Sequence, residues 1–176
     1  MTMERFDLYD SNRRFTGRTI ARGEDVPDGL RRLVVHICVF NSKGEMLIQQ
    51  RQSFKDGWPN LWDVTVGGGV QAGETTQQAA HRELLEELGL AYDFEDEAPM
   101  LTTTFRKGFD DVYIIHAEPD FSSLRLQPEE VQAVRWAGLD EVLAMIESGT
   151  FIPYSRPFME YIFFRHDHWG NFDTDK

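Results

Sequence analysis

Cysteine is almost absent from this sequence: Cys38 is the single one among 176 residues. One cysteine cannot form a disulfide within its own chain, and it disfavours a zinc site built from cysteine ligands. Cys38 lies in the apolar segment LVVHICVF, so we interpret it as a small hydrophobic residue of a buried strand. Such low cysteine use fits a cytoplasmic protein, which is the location we expect.

Long hydrophobic runs are missing as well. No apolar stretch approaches the roughly 20 residues that a membrane-spanning helix needs. The N-terminal segment MTMERFDLYD contains no apolar region of the kind found in secretory signals. We therefore expect neither a membrane-spanning helix nor a secretory signal.

Positive charge is scarce. The chain has 18 lysines and arginines against 30 aspartates and glutamates, and its formal net charge at pH 7 is -12. General binding to nucleic-acid backbones needs a basic surface, so that class of protein is disfavoured. A small anionic substrate is compatible with an acidic protein, because a bound metal ion can reverse the local charge of a site. The composition leaves the oligomeric state open, and a homodimer is compatible with it.

Short apolar segments with strand-like patterns alternate with a few helical segments. FDLYD and RFTGRTIARG flank a turn, which predicts a hairpin within residues 1–30. The predicted strands and helices that follow are LRRLVVHICVF, EMLIQQR, LWDVTV, MLTTTFR, DVYIIHAEP and VQAVRWAG, then LDEVLAMIES and SRPFMEYIFFRH, with KGFD as the turn before DVYIIHAEP. This pattern predicts an α/β sandwich in which helices cover a mixed β-sheet, as a single domain over residues 1–176.

The segment GGGVQAGETTQQAAHRELLEELG predicts a glycine-rich turn followed by a helix over Thr76–Leu88. Thr75 is a suitable N-cap, and Gln78 three residues later completes a capping box. Gly89 suits the first position after the helix, where a left-handed backbone is common. The helix therefore has a defined beginning and a defined end.

Glu83, Glu86 and Glu87 gather on one side of this helix, beside its apolar stripe. Side chains three and four positions apart are neighbours, and like charges there repel by a few tenths of a kcal/mol per pair. The last turn of a helix favours cations by about 0.3–1 kcal/mol, yet this one holds two glutamates. A solvated acidic face is the ordinary interpretation, but local rules are broken most often at functional sites. A hard divalent cation, Mg²⁺ or Mn²⁺, would turn the repulsion into coordination.

Gly67, Gly68 and Gly69 precede the helix. Glycine allows unusual backbone angles and lets the backbone approach a ligand closely. A glycine run is a weak indication by itself, but next to the acidic helix it can place a backbone carbonyl or amide beside a metal site. Gly68 and Gly69 are therefore candidate substrate contacts.

The whole segment resembles the Nudix box. The fixed positions of that motif are filled in order from Gly68: five residues, Glu74, seven residues, Arg82-Glu83-Leu84, one residue, Glu86-Glu87, one residue, Gly89-Leu90. The order of strands before the box and the segment EEVQAVRWAGLDEV after it are also similar to this family over most of the chain. The resemblance implies a Nudix-type α/β/α sandwich and a hydrolase that cleaves a diphosphate linked to another group, using Mg²⁺ or Mn²⁺.

The resemblance also implies roles for the residues of the box. Glu83, Glu86 and Glu87 would be metal ligands, and the Gly68 carbonyl would be a further ligand. Glu86 would also help to deprotonate the attacking water. The bound ion would neutralise the charge that develops on the phosphate, so that positioning and electrostatics supply most of the catalysis.

Other acids and one arginine would support this chemistry. Glu74 and Arg82 would orient and balance the carboxylates of the box. In some members of the family the general base lies outside the box, which makes Glu129 and Glu130 the candidates in this chain. Both would otherwise be solvated acids of a loop.

Two arginines outside the box are candidate substrate contacts. Arg51, at the end of LIQQR, could reach a substrate phosphate, and Arg106, after MLTTTF, could guide an anionic substrate. An arginine at either place is also an ordinary surface residue. His36, inside a strand pattern, is interpreted as a core histidine and not as a ligand.

Two alternative functions remain open. WPNLW and the following AGE resemble the isopentenyl diphosphate isomerase branch of the same fold, which moves a double bond by acid–base chemistry. That branch has a Cys-Gly-His-like run where this sequence has Gly67, Gly68 and Gly69, so the catalytic cysteine is missing. A catalytically silent, nucleotide-binding Nudix domain is the other alternative, and it predicts a degraded box. Fold and box do not choose among nucleotide and non-nucleotide diphosphate substrates.

Overall fold

The structure is a computed structural model that describes residues 3–168 and residue 170. Its elements lie close to the predicted segments. In chain order they are β1 Arg5–Tyr9, β2 Phe15–Ala21, β3 Arg32–Phe40, β4 Met46–Arg51, β5 Trp62–Asp63, β6 Val66–Gly69, α1 Thr76–Leu88, β7 Leu101–Phe105, β8 Gly108–His116, β9 Val131–Ala137, α2 Leu139–Glu147 and α3 Arg156–Arg165, with a short 3₁₀ turn at Phe121–Ser123.

The strands form two sheets. β1 and β2 pair as an antiparallel hairpin with Phe6 opposite Ile20, so the predicted N-terminal hairpin is present. The larger sheet has seven strands in the order β5-β4-β3-β8-β7, with β6 paired to β3 and β9 paired to β4. This is a mixed sheet accompanied by helices, and the predicted α/β fold class is confirmed.

The chain divides into two compact units, and several elements run from one unit into the other. The first unit comprises the described residues up to Ile37, together with Gly67–Leu85 and Ala91–Tyr113. Its hairpin buries a small apolar cluster of Phe6, Leu8, Ile20 and Val26. Burial alternates along the start of β3, as expected for a strand with one face in the core.

The second unit comprises Cys38–Val66, Glu86–Leu90 and the described residues from Ile114 onward. Its strand β4 pairs antiparallel with both β5 and β9. The apolar residues of β4, Met46, Leu47 and Ile48, are fully buried, as expected for a strand covered on both faces. Cys38 is buried, as predicted.

The helix α1 has the predicted bounds. The backbone amide of Thr75 donates to the side-chain oxygen of Gln78 at 2.9 Å, and the amide of Gln78 donates to the Thr75 hydroxyl at 3.2 Å. The predicted capping box is therefore confirmed. Gly89 has a φ of 66°, the left-handed conformation that favours glycine after a helix.

Two local predictions are wrong. The glycine run is not a turn, because Val66–Gly69 forms β6 and pairs with β3 without a positive φ at its glycines. KGFD is not the turn after β7, because β8 already begins at Gly108 and the chain reverses through Arg106 and Lys107. In both places glycine provides space and not an unusual backbone angle. A Cβ on Gly108, for example, would lie 2.2 Å from the ring of Phe105.

The helices of the described chain are short. The longest of them, α1, has 13 residues. Within residues 3–168 and residue 170, no helix is long and apolar enough to cross a bilayer.

Candidate active site

The middle glycine of β6 lies directly against the acidic helix. A Cβ placed on Gly68 would come within 2.1 Å of the carboxyl carbon and of one carboxylate oxygen of Glu83. No side chain larger than hydrogen therefore fits between the strand and this glutamate. The carboxylate of Glu83 therefore lies against the backbone of β6 at Gly68.

The other two glycines of β6 make room on the opposite face, because side-chain positions alternate along a strand. A Cβ on Gly67 would lie 2.7 Å from the ring of His36. A Cβ on Gly69 would lie 2.6 Å from the ring of Phe6 and 3.2 Å from a guanidinium nitrogen of Arg32. Each glycine of the run is thus explained by a side chain that approaches the strand closely.

Arg82 holds this arrangement together. Its Nε and Nη2 donate to the two carboxylate oxygens of Glu74, at 2.7 and 2.9 Å. Its Nη1 donates to Oε1 of Glu83 at 2.9 Å, and Nη2 also donates to the carbonyl oxygen of Gly69 at 3.0 Å. One guanidinium therefore contacts two carboxylates and the end of β6, and the orienting role assigned to Glu74 and Arg82 stays a prediction.

The charged groups around Arg82 change the pKa values of Arg82 and Glu74. Burial alone would lower the pKa of Arg82, but its hydrogen bonds to Glu74 and Glu83 and the charges of both carboxylates outweigh burial and raise it. Burial acts to raise the pKa of Glu74, but hydrogen bonds from Arg82 and from the backbone amide of Gln71 lower it overall. Both groups are therefore ionised at neutral pH.

The last turn of α1 presents its two carboxylates differently. Glu87 is buried and accepts a hydrogen bond of 2.9 Å from the side-chain amide of Gln49 in β4. Glu86 is exposed to solvent. The last turn of α1 contains no basic residue.

The donors of α1 fit a hard divalent cation in their chemistry. Glu83 touches the backbone of Gly68, and the buried Glu87 accepts from the neutral amide of Gln49, whose own Oε1 is buried with no hydrogen-bond partner among the described residues. Carboxylate and carbonyl oxygens are the ligands that Mg²⁺ and Mn²⁺ prefer. Among the same described residues, no three acidic, histidine or cysteine side chains already stand in a metal-ligating arrangement.

A cavity of about 620 Å³ lies in the first unit. Glu83 and the three glycines of β6 line one part of it. The remaining lining comes from the N-terminal hairpin, from β3 and from the β7–β8 pair, with charged side chains of both signs. This volume suits a small-molecule ligand, and the charges along the wall suit a polar one.

Comparison with known proteins identifies the family. The family model of the NUDIX domain matches residues 30–161. The chain belongs to the NUDIX family. It is 46% identical over 152 residues to an uncharacterised Nudix hydrolase of Listeria monocytogenes, a match that covers 86% of this chain and 90% of that protein.

Two further proteins are similar to this chain over most of its length. A crystal structure of a protein from Deinococcus radiodurans matches with a TM-score of 0.73 and 27% identity, over 94% of this chain and all of that one. An isopentenyl-diphosphate Delta-isomerase of Pectobacterium atrosepticum is 32% identical over 143 residues, covering 77% of this chain and 76% of that protein. Nudix hydrolases act on small molecules and generally use divalent metal ions. The prediction of a Nudix hydrolase is confirmed by the family and by its hydrolase relatives.

Outside the Nudix box, Arg51 holds a loop in place. Its Nε donates to the carbonyl oxygen of Gly57 at 3.0 Å, and its guanidinium lies 3.8 Å from the carboxylate of Asp63. The same loop carries Trp58, which is exposed. All of these contacts are to protein groups, so the substrate contact assigned to Arg51 stays a prediction.

The two acids before β9 differ in their surroundings. Glu130 forms an ion pair with Lys55, with 2.6 Å between the ammonium nitrogen and a carboxylate oxygen. Glu129 is exposed. A base at Glu130 would have to act beside the ammonium group of Lys55. The role of either residue as a base outside the Nudix box stays a prediction.

Arg106 lies where the sequence placed it, whereas His36 does not. Arg106 is exposed in the turn between β7 and β8 and is not part of the cavity lining. His36, interpreted as a core histidine, lines the cavity, and its Nδ1 lies 2.9 Å from both carboxylate oxygens of Asp110. The signal that could have found this wall is the pair of polar residues, Arg32 and His36, on one face of an otherwise apolar strand.

Proposed function

We propose that this chain hydrolyses a diphosphate linkage in a nucleoside diphosphate joined to another group, or in a related diphosphate compound, with Mg²⁺ or Mn²⁺. The contact between Glu83 and Gly68 at the wall of the 620 Å³ cavity carries the proposal. Through this contact, Gly68 and Glu83, two residues of the Nudix box, lie together at the wall of a cavity large enough for a small-molecule substrate. Membership of the NUDIX family supports the same class of reaction.

The ion would be held by Glu83, Glu86 and Glu87 and by the carbonyl oxygen of Gly68. When bound, it supplies charge neutralisation for the phosphate and lowers the pKa of a coordinated water. Gly68 contributes by lacking a side chain, because a Cβ there would collide with the carboxylate of Glu83. Arg82 contributes by donating a hydrogen bond of 2.9 Å to Oε1 of Glu83. These contacts preorganise the site before any substrate binds.

Glu86 is the residue to which we assign the proton of the attacking water. Its carboxylate is exposed in the last turn of α1, where water reaches it. Glu129 and Glu130 are the alternative bases. The ion pair with Lys55 would hold the Glu130 carboxylate in place.

The test is a hydrolysis assay with nucleoside diphosphate sugars, dinucleotides and non-nucleotide diphosphates, each with Mg²⁺, with Mn²⁺ and with a chelator. We expect activity that requires metal. Glu86→Gln or Glu87→Gln should lower kcat at least ~100-fold, the scale of losing a principal catalytic interaction. Glu147→Gln, which removes an exposed carboxylate of α2, is the control and should leave kcat at the wild-type value. Hydrolysis that survives the chelator, or that both box variants retain in full, would contradict the proposal.

The isomerase relative defines a second reaction to measure. An isomerase of that branch would need a cysteine or histidine side chain within the glycine run of β6. A Cβ at any of these three positions would approach His36, Glu83 or Phe6 to less than 3 Å, at 2.7, 2.1 and 2.6 Å respectively. We therefore expect no conversion of isopentenyl diphosphate to its isomer. A silent binding domain, in contrast, would bind compounds of the panel and hydrolyse none of them.

A further inference from the structure

Arg32 occupies a position that the Nudix box does not describe. It begins β3 and lines the 620 Å³ cavity together with Val34 and His36, the alternate residues on the same face of the strand. Its guanidinium carbon lies over the ring of Phe6, 5.3 Å from the ring centroid. The absence of a side chain at Gly69 leaves room for this guanidinium, because a Cβ there would lie 3.2 Å from Nη1.

The charge of Arg32 has no counter-charge in the described part of the chain. Its side chain forms a ring contact with Phe6, but no ion pair with any carboxylate among those residues. The carboxylates of the cavity wall are each engaged elsewhere: Glu4 with Arg22, Glu24 with the amide of Ala21, Glu83 with Arg82 and Asp110 with His36. A guanidinium that is partly withdrawn from water is therefore left uncompensated at the wall of a cavity.

The surroundings of Arg32 oppose its positive charge. Burial lowers the pKa of Arg32, and the positive charge of Arg22 lowers it further. A charge removed from water without a partner costs free energy, and an anion entering the cavity would remove that cost. A guanidinium is the side chain whose geometry best matches the oxygens of a phosphate.

We propose that Arg32 binds a phosphate group of the substrate, in the cavity that Gly68 and Glu83 also line. The inference rests on the proposed diphosphate substrate and assigns it a second contact besides the ion-binding residues. The ion and Arg32 together would neutralise the substrate's negative charge. Arg32 thereby becomes a specificity-determining residue that selects for a charged phosphate within the cavity.

The test measures the binding of inorganic pyrophosphate by calorimetry, with Mg²⁺ present, to the wild type and to three variants. In Arg32→Gln we expect the dissociation constant to rise at least ~10-fold, the scale of a lost hydrogen bond to a charged group. Arg32→Lys keeps the charge but loses the planar fork, so its loss should be smaller. Arg18→Gln removes the same charge from an exposed position of β2 outside the cavity lining, and should bind like the wild type.

Kinetics with a hydrolysed diphosphate separates binding from chemistry. Arg32→Gln should raise KM by a similar factor with kcat changed far less, whereas Glu86→Gln should lower kcat. Equal binding of pyrophosphate by the wild type and by Arg32→Gln would overturn the inference, and so would a wild type that does not bind it. The calorimetry measures binding and not hydrolysis. The inference about Arg32 can therefore be judged even if the chain does not hydrolyse any diphosphate of the panel.

Discussion

Arg82 in α1 and Arg32 in β3 belong to the same unit and carry the same charge, but their surroundings are opposite. Arg82 donates to two carboxylates and one backbone carbonyl. Arg32 lies over the ring of Phe6 and has no carboxylate partner within the described residues. Burial acts against both charges. The carboxylates around Arg82 reverse this effect and raise its pKa, whereas the pKa of Arg32 remains lowered.

The difference separates a charge used within the fold from a charge available to a ligand. Removing the partner of a buried carboxylate leaves that carboxylate uncompensated, so a paired arginine is part of the framework of the structure. Removing an arginine that has no carboxylate partner leaves no carboxylate uncompensated. The two kinds of arginine should therefore differ in what they contribute to stability and in what they contribute to binding.

The largest effect on stability is expected for Arg82→Gln. It removes the guanidinium that contacts Glu74 and Glu83, whose side chains are only 21% and 14% exposed, respectively. We expect the free energy of unfolding at pH 7 to fall by about 2–4 kcal/mol. Urea unfolding followed by circular dichroism measures the change.

The matched control for this variant is Arg156→Gln. Arg156 also faces two carboxylates, those of Glu147 and Glu160, but its side chain is 62% exposed. Exposed ion pairs contribute little to stability because water screens them, so this variant should unfold nearly like the wild type. Similar losses of stability in both variants would show that the buried ion pairs of Arg82 stabilise the fold no more than exposed ones. Arg82 would then not be a structural arginine.

A smaller effect, visible through pH, is expected at another paired arginine of the first unit. Arg13 forms an ion pair with Asp111, which also accepts a hydrogen bond of 2.6 Å from Thr102. Burial acts to raise the pKa of Asp111, but the hydrogen bonds from Arg13 and Thr102 lower it overall. A lowered pKa in the folded state contributes stability above the unfolded pKa, near 3.9, and that stability is lost as pH falls through the folded value.

Asp111→Asn should therefore flatten the acid side of the stability profile. The difference in unfolding free energy between wild type and variant should shrink by roughly 1–2 kcal/mol between pH 7 and pH 3. Urea unfolding at a series of pH values gives the profile. Asp28→Asn, at a carboxylate that is 91% exposed, is the control and should follow the wild type at every pH. An unchanged acid limb in the Asp111 variant would show that this pair adds nothing to stability.

The two arginines also show what a sequence can and cannot reveal. Arg82 was found because it stands at a fixed spacing from Glu74 and Glu83 on one capped helix, and the bounds of that helix follow from local rules at Thr75 and Gly89. Arg32 was missed because its importance depends on which carboxylates lie nearby, and those come from four separate parts of the chain. Residues that are neighbours in the fold but distant in the sequence produce no motif that a sequence alone can show.

The glycines of β6 illustrate the same limit. Their motif indicated a functional position, and the local sequence suggested a turn. The structure shows an extended strand, because the reason for each glycine is a side chain from another element: His36, Glu83 or Phe6. Glycine that makes space and glycine that makes a turn look alike in a sequence. The fold class and the acidic helix could be predicted, whereas the shape of the cavity wall could not.

The smallest effect on stability is expected for Arg32→Gln, and this variant tests the comparison most directly. The contact of Arg32 with the ring of Phe6 contributes about 0.5–1 kcal/mol, and relief of an uncompensated charge offsets it. We therefore expect the free energy of unfolding without ligand to stay within ~0.5 kcal/mol of the wild type, as for an ordinary surface substitution. Inorganic pyrophosphate should raise the melting temperature of the wild type and of Arg18→Gln, and much less that of Arg32→Gln, because only a ligand that binds the folded state stabilises it. A loss of stability as large as that of Arg82→Gln would make Arg32 part of the framework, and the distinction between the two arginines would disappear.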